Sequence, residues 1–488
     1  MANDLEIETH LSRVTLRGDR ALKRLKPVRY PFVDFSTLAK REAGCRAEVA
    51  HNGPWAPGIY LGVHPLAGDP PVLDGPGEPV DWAVEMVRLP DDARLSDRID
   101  TLGPDALERV GRHLRSVHDT LPARPEAALP EVVERRILEN LDELLAFALP
   151  VPSARLTAAV HGALERARPA LAARSGAGRV FHGDLRTDHV YLLADAPTVP
   201  AGARDAGIVV LDGVAFDPAF AQGDPVEDVA FLAMELAAKH GRWDLEHALW
   251  RGWSGGMPVD PALVALYTGH RSLIRAKVRA IGGDTARVRM HVVHALVRME
   301  PDPPLLVGIG GLPGVGKSVL ARSLADRTGA VVLRTDAVRK QLDAAPSYDP
   351  AARDAVYEHV YAAAAERLGR GERVVIDASF GRDPWRRRML QVAREHGVPA
   401  VFLFAHAERD VVAGRLAART NDPSDADLAV HDAAAAAWEP ESPAVRERSA
   451  HIDTSGSPEQ AVRQALSALR STFGADRGAA PPLSRSAP

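Results

Sequence analysis

Over the first hundred residues, apolar and polar positions alternate in short runs at 7–16, 21–25, 59–63 and 83–88. A period of two predicts strands with one buried face, and the Pro/Gly-rich stretch 67–79 reads as a hairpin loop between two of them. Residues 36–50 between these runs read as a helix. From Leu102 the period lengthens. Ala106, Val110, Leu114 and Val117 recur at helical spacing, followed by a second helical stretch at 132–149. Two short apolar runs, 179–181 and 207–211, predict buried strands, and a long helical region including 226–239 continues to about residue 299. The run Met299-Glu-Pro-Asp-Pro-Pro304 then stops the helix. Beyond it, strand-like runs at 305–309, 330–333, 373–376, 400–404 and 451–452 alternate with helical segments, which predicts a five-stranded parallel sheet wrapped by helices. The expected organisation is an α+β domain over 1–300, an α/β domain over 301–472, and a disordered Gly/Ala/Pro/Ser-rich tail at 473–488.

Composition narrows the class. At 488 residues the chain is too long for one core. A formal net charge of −5 with 26% charged residues disfavours nucleic acid as the main partner. The single cysteine, Cys45, excludes an intramolecular disulfide framework and a cysteine-only metal site, and reads as a core residue. The N-terminus lacks the basic and apolar regions of a signal peptide, and no apolar run approaches a membrane span. The expectation is a cytoplasmic protein without membrane contact; its oligomeric state is not legible.

Residues 311–318, Gly-Leu-Pro-Gly-Val-Gly-Lys-Ser, match G-x-x-x-x-G-K-[ST] between a strand and a helix. Gly311, Gly314 and Gly316 let the backbone wrap a phosphate closely, and the helix start favours negative charge. Lys317 is expected on the β/γ-phosphates of ATP and Ser318 on Mg²⁺. After the second strand, Asp336 and Arg339 suit an acceptor ligand or base and an anion clamp. Asp377 ends the third strand as a carboxylate near the metal. Arg415 and Arg419 share a helix face before the loop 420–427, which reads as a lid whose arginines neutralise transferring charge. Arg387 and Arg388 read as a solvated face. This set resembles the gluconate-kinase and zeta-toxin group of P-loop phosphotransferases, whose ATP-binding domain also goes under the AAA label. No AAA-type second-region motif can be read.

In the first half, His182-Gly-Asp184-Leu-Arg-Thr-Asp-His189 follows one short strand and Asp212 follows another. Phosphoryl transfer to a hydroxyl needs one carboxylate that accepts the hydroxyl proton and another that holds Mg²⁺ on the phosphates. Together with Gly223-Asp224-Pro225, these segments resemble the aminoglycoside phosphotransferase-like branch of the protein-kinase fold. The resemblance implies a bilobal kinase-like domain, with Asp184 as catalytic base, Asp212 on the metal, and Asp224 and Asp228 structural. Five residues after the catalytic aspartate that family has a metal-binding Asn; here His189 stands, beside Asp188 as an alternative ligand. Lys23 or Lys26 is expected to touch the α/β-phosphates. Lys23 is preferred, because a proline right after Lys26 suggests that the strand ends there. Glu42 or Glu48 would pair with the lysine, and Glu48 is chosen. Residues 81–90 resemble the adenine-binding hinge. The whole chain is similar to a subfamily in which such a domain is fused to a C-terminal P-loop domain. The implied function is ATP-dependent phosphoryl transfer to a small-molecule hydroxyl with two Mg·ATP sites. The alternative is a first half that binds ligand without catalysis and regulates the second.

Overall fold

The computed structural model describes residues 5–30, 33–193, 207–342, 350–418 and 427–474. It separates into two compact units, one of residues 1–135, 169–236 and 244–259, the other of 136–168, 237–243 and 260–488.

The first unit opens on a six-stranded antiparallel sheet. Its spatial order is Leu5–Glu8, Ser12–Arg17, Arg20–Leu25, Asp81–Val87, Tyr60–Ala67 and Val72–Leu73. The run expected at 7–16 is thus two strands of a hairpin, in register from Leu5 opposite Leu16. The helix Leu38–Asn52 is N-capped by the Thr37 hydroxyl, which accepts from the Lys40 backbone N–H. Cys45, Glu48 and Asn52, at helical spacing, are its buried residues. Cys45 is fully buried in the core formed by Ala21, Leu25, Phe35, Val84 and Met86. The helical part includes Pro104–Thr120, whose Leu107, Val110 and Leu114 are fully buried, and Pro225–Met234, buried along its whole length. A strand not anticipated, Val190–Leu192, pairs antiparallel with Ile208–Val210.

The second unit carries the expected five-stranded parallel sheet, in the order Val331–Arg334, Val374–Asp377, Leu306–Gly310, Ala400–His406 and Ser449–Asp453. Both faces are covered, so the central strands are apolar up to their carboxyl ends, where Asp377 and His406 stand. Leu306, Val374, Ile376 and Phe402 enter one apolar cluster; Val307, Ile309, Val375, Val401 and Leu403 enter the other.

The division by compactness does not fall at 300/301. The helices Pro261–Ile281 and Thr285–Met299, expected with the first half, group with the parallel sheet. Burial is the reason: Val293 and Val297 share a cluster with Leu306, Val374 and Ile376. An Arg155–Glu300 ion pair of 2.7 Å adds to this unit. The last helix, Pro458–Gly474, extends two residues into the segment expected as tail; residues 475–488 lie outside the described residues.

Candidate functional sites

On the strand Arg20–Leu25, Lys23 alternates with Leu22 and Arg24, and so faces the same way as the core residues Ala21 and Leu25. Its ammonium donates to Glu48 Oε1 at 2.7 Å and to Asp212 Oδ1 at 2.9 Å. Lys26 lies one residue past the strand and turns elsewhere, donating to the Thr9 carbonyl at 2.6 Å and pairing with Glu8. Glu42 pairs with Arg46 on the surface. Burial works against charge on Lys23, but the carboxylates of Asp212 and Glu48 overcome it and hold the amine well above its ordinary value. The same ammonium, more than burial opposes it, keeps the Asp212 carboxyl well below the usual carboxylate range. Burial raises Glu48 despite Lys23. Asp212 has φ +59°, a left-handed conformation, and the next residue, Gly213, donates its N–H to Asn52 Oδ1 at 2.7 Å. A Cβ on Gly213 would stand 2.8 Å from the His51 ring, so the backbone must be bare there.

The segment His182–His189 has no regular structure of its own, and buried carboxylates fix its backbone. Asp228 accepts the N–H groups of His182 and Gly183, both at 2.9 Å, and its Oδ2 also lies 3.1 Å from His118 Nε2. The indole N–H of Trp253 donates to His118 Nδ1, so His118 carries its proton on Nε2 and donates to Asp228. Glu235 accepts from the Thr187 N–H and hydroxyl at 2.9 and 2.7 Å. His182 Nε2 faces the Leu211 carbonyl at 2.9 Å, tying this segment to the strand that leads into Asp212. Asp224 caps the helix Pro225–Met234 and pairs with Arg174. The sequence implies for Asp228 only a structural role at that helix, and no local pattern marks His118 or Glu235.

Asp184 Oδ2 accepts from Arg186 Nε at 3.0 Å. His189 Nδ1 meets the Asp184 carbonyl at 2.9 Å, and its Nε2 meets the Arg186 guanidinium. A guanidinium only donates, so the His189 lone pair points at a cation. Asp188 Oδ2 is 3.7 Å from Arg186. The imidazole is therefore engaged, and the hard oxygens offered to a divalent cation here are those of carboxylates, Asp212 among them. Among the described residues no three His, Cys, Asp or Glu side chains cluster as a metal cage.

In the second unit the strand Leu306–Gly310 runs into the phosphate-type loop and the helix Lys317–Thr328. Gly311, Gly314 and Gly316 have φ of +139°, +86° and +94°, conformations that a side chain would strain. A Cβ at Gly311 would also lie 2.4 Å from the Ala405 carbonyl. Lys317 Nζ donates to the Leu312 carbonyl at 2.8 Å, folding over the loop. Asp377 ends its strand directly opposite Arg334 on one side and Ile309 on the other. Arg334 Nε donates to Asp377 Oδ2 at 3.2 Å and Nη2 to Ser318 Oγ at 3.3 Å. Asp336 and Arg339 lie one helical turn apart, 4.0 Å between their charged groups.

Arg415 donates to the carbonyls of Val315 and Thr454, at 3.4 and 2.6 Å, and so braces the loop against the chain after the last strand. Arg419 and residues 420–426 of the expected lid lie outside the described residues. Arg387 pairs with Asp383, and Arg388 with Glu358 and Glu395. Arg386 differs. It is fully buried, donates to the carbonyls of Phe380 and Glu439, and stacks over Trp438, a packing role.

The glycine-lined loop on a parallel sheet, with Asp377 at the carboxyl end of the neighbouring strand, defines the second unit as a P-loop α/β domain. The model of the AAA domain family matches residues 306–440. Along its length the chain is 32% identical over 501 aligned residues to the uncharacterized protein Rv2004c of Mycobacterium tuberculosis and to Mb2027c of Mycobacterium bovis, covering 96% of this chain and 95% of each relative. The chain belongs to the family of these mycobacterial proteins. Among solved structures it is similar in part to a sugar kinase from a Janibacter species (22% identity, 38% of this chain and 100% of that chain, TM-score 0.30). A gluconokinase from Sinorhizobium meliloti matches at 24% identity, over 35% of this chain and 93% of that chain, with TM-score 0.28. A choline/ethanolamine kinase family protein from Mesorhizobium loti matches at 16%, over 61% and 88%, with TM-score 0.39.

Proposed function

We propose that the chain is an ATP-dependent phosphotransferase with two Mg·ATP sites, acting on a small-molecule hydroxyl. In this reading residues 1–300 and 301–472 are the two functional modules. The observation that carries it is the convergence of Glu48 and Asp212 on Lys23, beside a backbone-pinned segment bearing Asp184. Lys23 orients on the α/β-phosphates, held there by Glu48. Asp184 accepts the acceptor's proton as the hydroxyl oxygen bonds to the γ-phosphorus and the bond to the bridging oxygen breaks, releasing ADP. In the second module the loop N–H groups and Lys317 bind the phosphates, Arg339 clamps the acceptor side, and Asp336 receives the proton. Asp212 in one site, and Ser318 with Asp377 in the other, supply the hard oxygens that suit Mg²⁺. When bound, that ion neutralises charge on the phosphates and orients them.

One observation favours a second reading. The imidazole of His189, in the position expected to ligate metal, has both ring nitrogens engaged by Asp184 and Arg186. A first module that binds nucleotide without transferring phosphate, and regulates the second, fits that arrangement. Calorimetry with Mg·ATP on the full chain, followed by ADP release over a panel of sugars, aminoglycosides and nucleosides, separates the two. Two nucleotides and two acceptor-dependent activities support the first reading. Two nucleotides with activity abolished only by changes in the P-loop module support the second. No nucleotide bound at either site defeats both.

A further inference from the structure

Arg334 was not singled out by its sequence context, yet its guanidinium spans the two side chains best suited to hold a divalent cation in the P-loop module. Nε is 3.2 Å from Asp377 Oδ2 and Nη2 is 3.3 Å from Ser318 Oγ. The arrangement is built into the sheet. Arg334 and Asp377 are register partners at the ends of adjacent parallel strands, and Ser318 lies in the first turn of the helix after the loop. Asp377 is only 5% exposed, so its carboxylate needs a counter-charge whether or not a ligand is bound. Ser318 Oγ and Asp377 Oδ2 are hard oxygen donors of the kind Mg²⁺ takes at about 2.1 Å. A planar cation that bridges them stands in for such an ion, which is why the donor set fits.

We propose that Arg334 is an internal counter-cation at the metal station of the P-loop site. This rests on the nucleotide-binding reading given above. In the nucleotide-free chain it holds Ser318 and Asp377 in register. A divalent cation entering with nucleotide needs the same two oxygens and displaces the guanidinium. Metal binding is therefore weakened by the strength of the Arg334–Asp377 pair, and removing the pair tightens it. Arg334 is a positioning residue. Its role differs from a purely structural one in that its removal destabilises the free chain and strengthens metal binding together.

The test uses the full chain with Mn²⁺ and ADP, counting only the binding that Lys317→Ala removes. Free Mn²⁺ is followed by its electron paramagnetic resonance signal, and thermal unfolding is measured with and without saturating Mn·ADP. Arg334→Gln is expected to bind Mn²⁺ about fivefold or more tightly, the lower end of ordinary coupling between linked sites. It should unfold at lower temperature than wild type when free and lose that deficit when saturated. Arg334→Lys, which keeps a cation beside Asp377 but lacks the longer planar fork of the guanidinium, should fall between them, and it serves as the comparison if the glutamine variant does not fold. Equal or weaker Mn²⁺ affinity in both variants, or the same ligand-induced stabilisation as wild type, overturns the proposal and leaves the P-loop assignment standing. No Mn·ADP binding sensitive to Lys317→Ala in wild type removes that assignment, and the proposal with it.

Discussion

Lys23 and Glu48 are joined at 2.7 Å across the space between a strand and the helix that packs on it, with Asp212 closing the other side of the ammonium at 2.9 Å. Glu48 is 8% exposed, so the lysine is its charge partner in a place that water scarcely reaches. Lys23→Met should therefore have two effects. Nucleotide affinity at the first site falls, and the chain becomes pH-sensitive. Burial already raises the Glu48 pKa, and without Lys23 it rises further. A carboxyl whose folded pKa lies above its unfolded value stays protonated in the fold, and stability is lost as pH rises through that folded value. Urea unfolding of Lys23→Met should show stability falling, relative to wild type, as the pH rises above about 4.3, where the unfolded carboxyl ionises and the buried one does not. Adding Glu48→Gln should abolish the slope without restoring nucleotide binding. A parallel pH profile for wild type and Lys23→Met would contradict this account.

Asp184→Asn separates chemistry from binding. The amide keeps the size and can still meet Arg186, but it cannot accept a proton. Acceptor-dependent ADP release by the first site should drop about a hundredfold, the size of a general-base contribution, while nucleotide affinity stays near wild type. The assay is run in full-length Lys317→Ala so that only the first site turns over. Undiminished release would remove Asp184 from its assigned role.

His182 gives a second pH signature, of opposite sign. It is fully buried, its Nε2 faces the Leu211 carbonyl, and burial pushes its pKa down to about 4. The unfolded chain takes up this proton at about pH 6.5 and the folded chain does so only near the depressed value. Stability is then full above pH 6.5 and is lost as the pH falls towards 4. Urea midpoints at pH 7 and pH 5 should converge in His182→Gln relative to wild type. Because His51, His113 and His291 are also pushed down by burial, the difference between the two proteins carries the test.

The parallel sheet was legible because each strand is a short apolar run bounded by helical segments, and a glycine-rich loop announces where the first strand ends. Lys23 was legible for a similar reason: alternation fixes its face, and the proline after Lys26 stops the strand. Arg334 and Glu235 were not. Arg334 meets Asp377 through strand register, 43 positions apart, and Glu235 reaches Thr187 from the π-helical stretch Glu235–Lys239 that continues a buried helix. Neither partner leaves a trace in the local pattern. The grouping of 261–299 with the parallel sheet was hidden as well. Those helices are amphipathic whichever core they cover, and the proline run after Met299 marks where the chain changes period, not which elements share apolar contacts.

Lys317→Ala discriminates most sharply between two working sites and one. The side chain folds onto the Leu312 carbonyl at the rim of the loop, and it packs into no apolar core, so its loss should leave thermal stability within a degree or two. Losing a charged contact to phosphate should weaken binding by about tenfold or more at that site. Calorimetry with Mg·ATP is expected to find two nucleotides in wild type and one in Lys317→Ala, with the remaining one lost on Lys23→Met. If the modules act in sequence on one acceptor, Lys317→Ala and Asp184→Asn each abolish the final product, and an intermediate accumulates only when the later step is blocked. If they act independently, each change removes one product and spares the other. A single nucleotide in wild type, lost entirely on Lys317→Ala, would leave the first module without a nucleotide site and defeat the two-site reading.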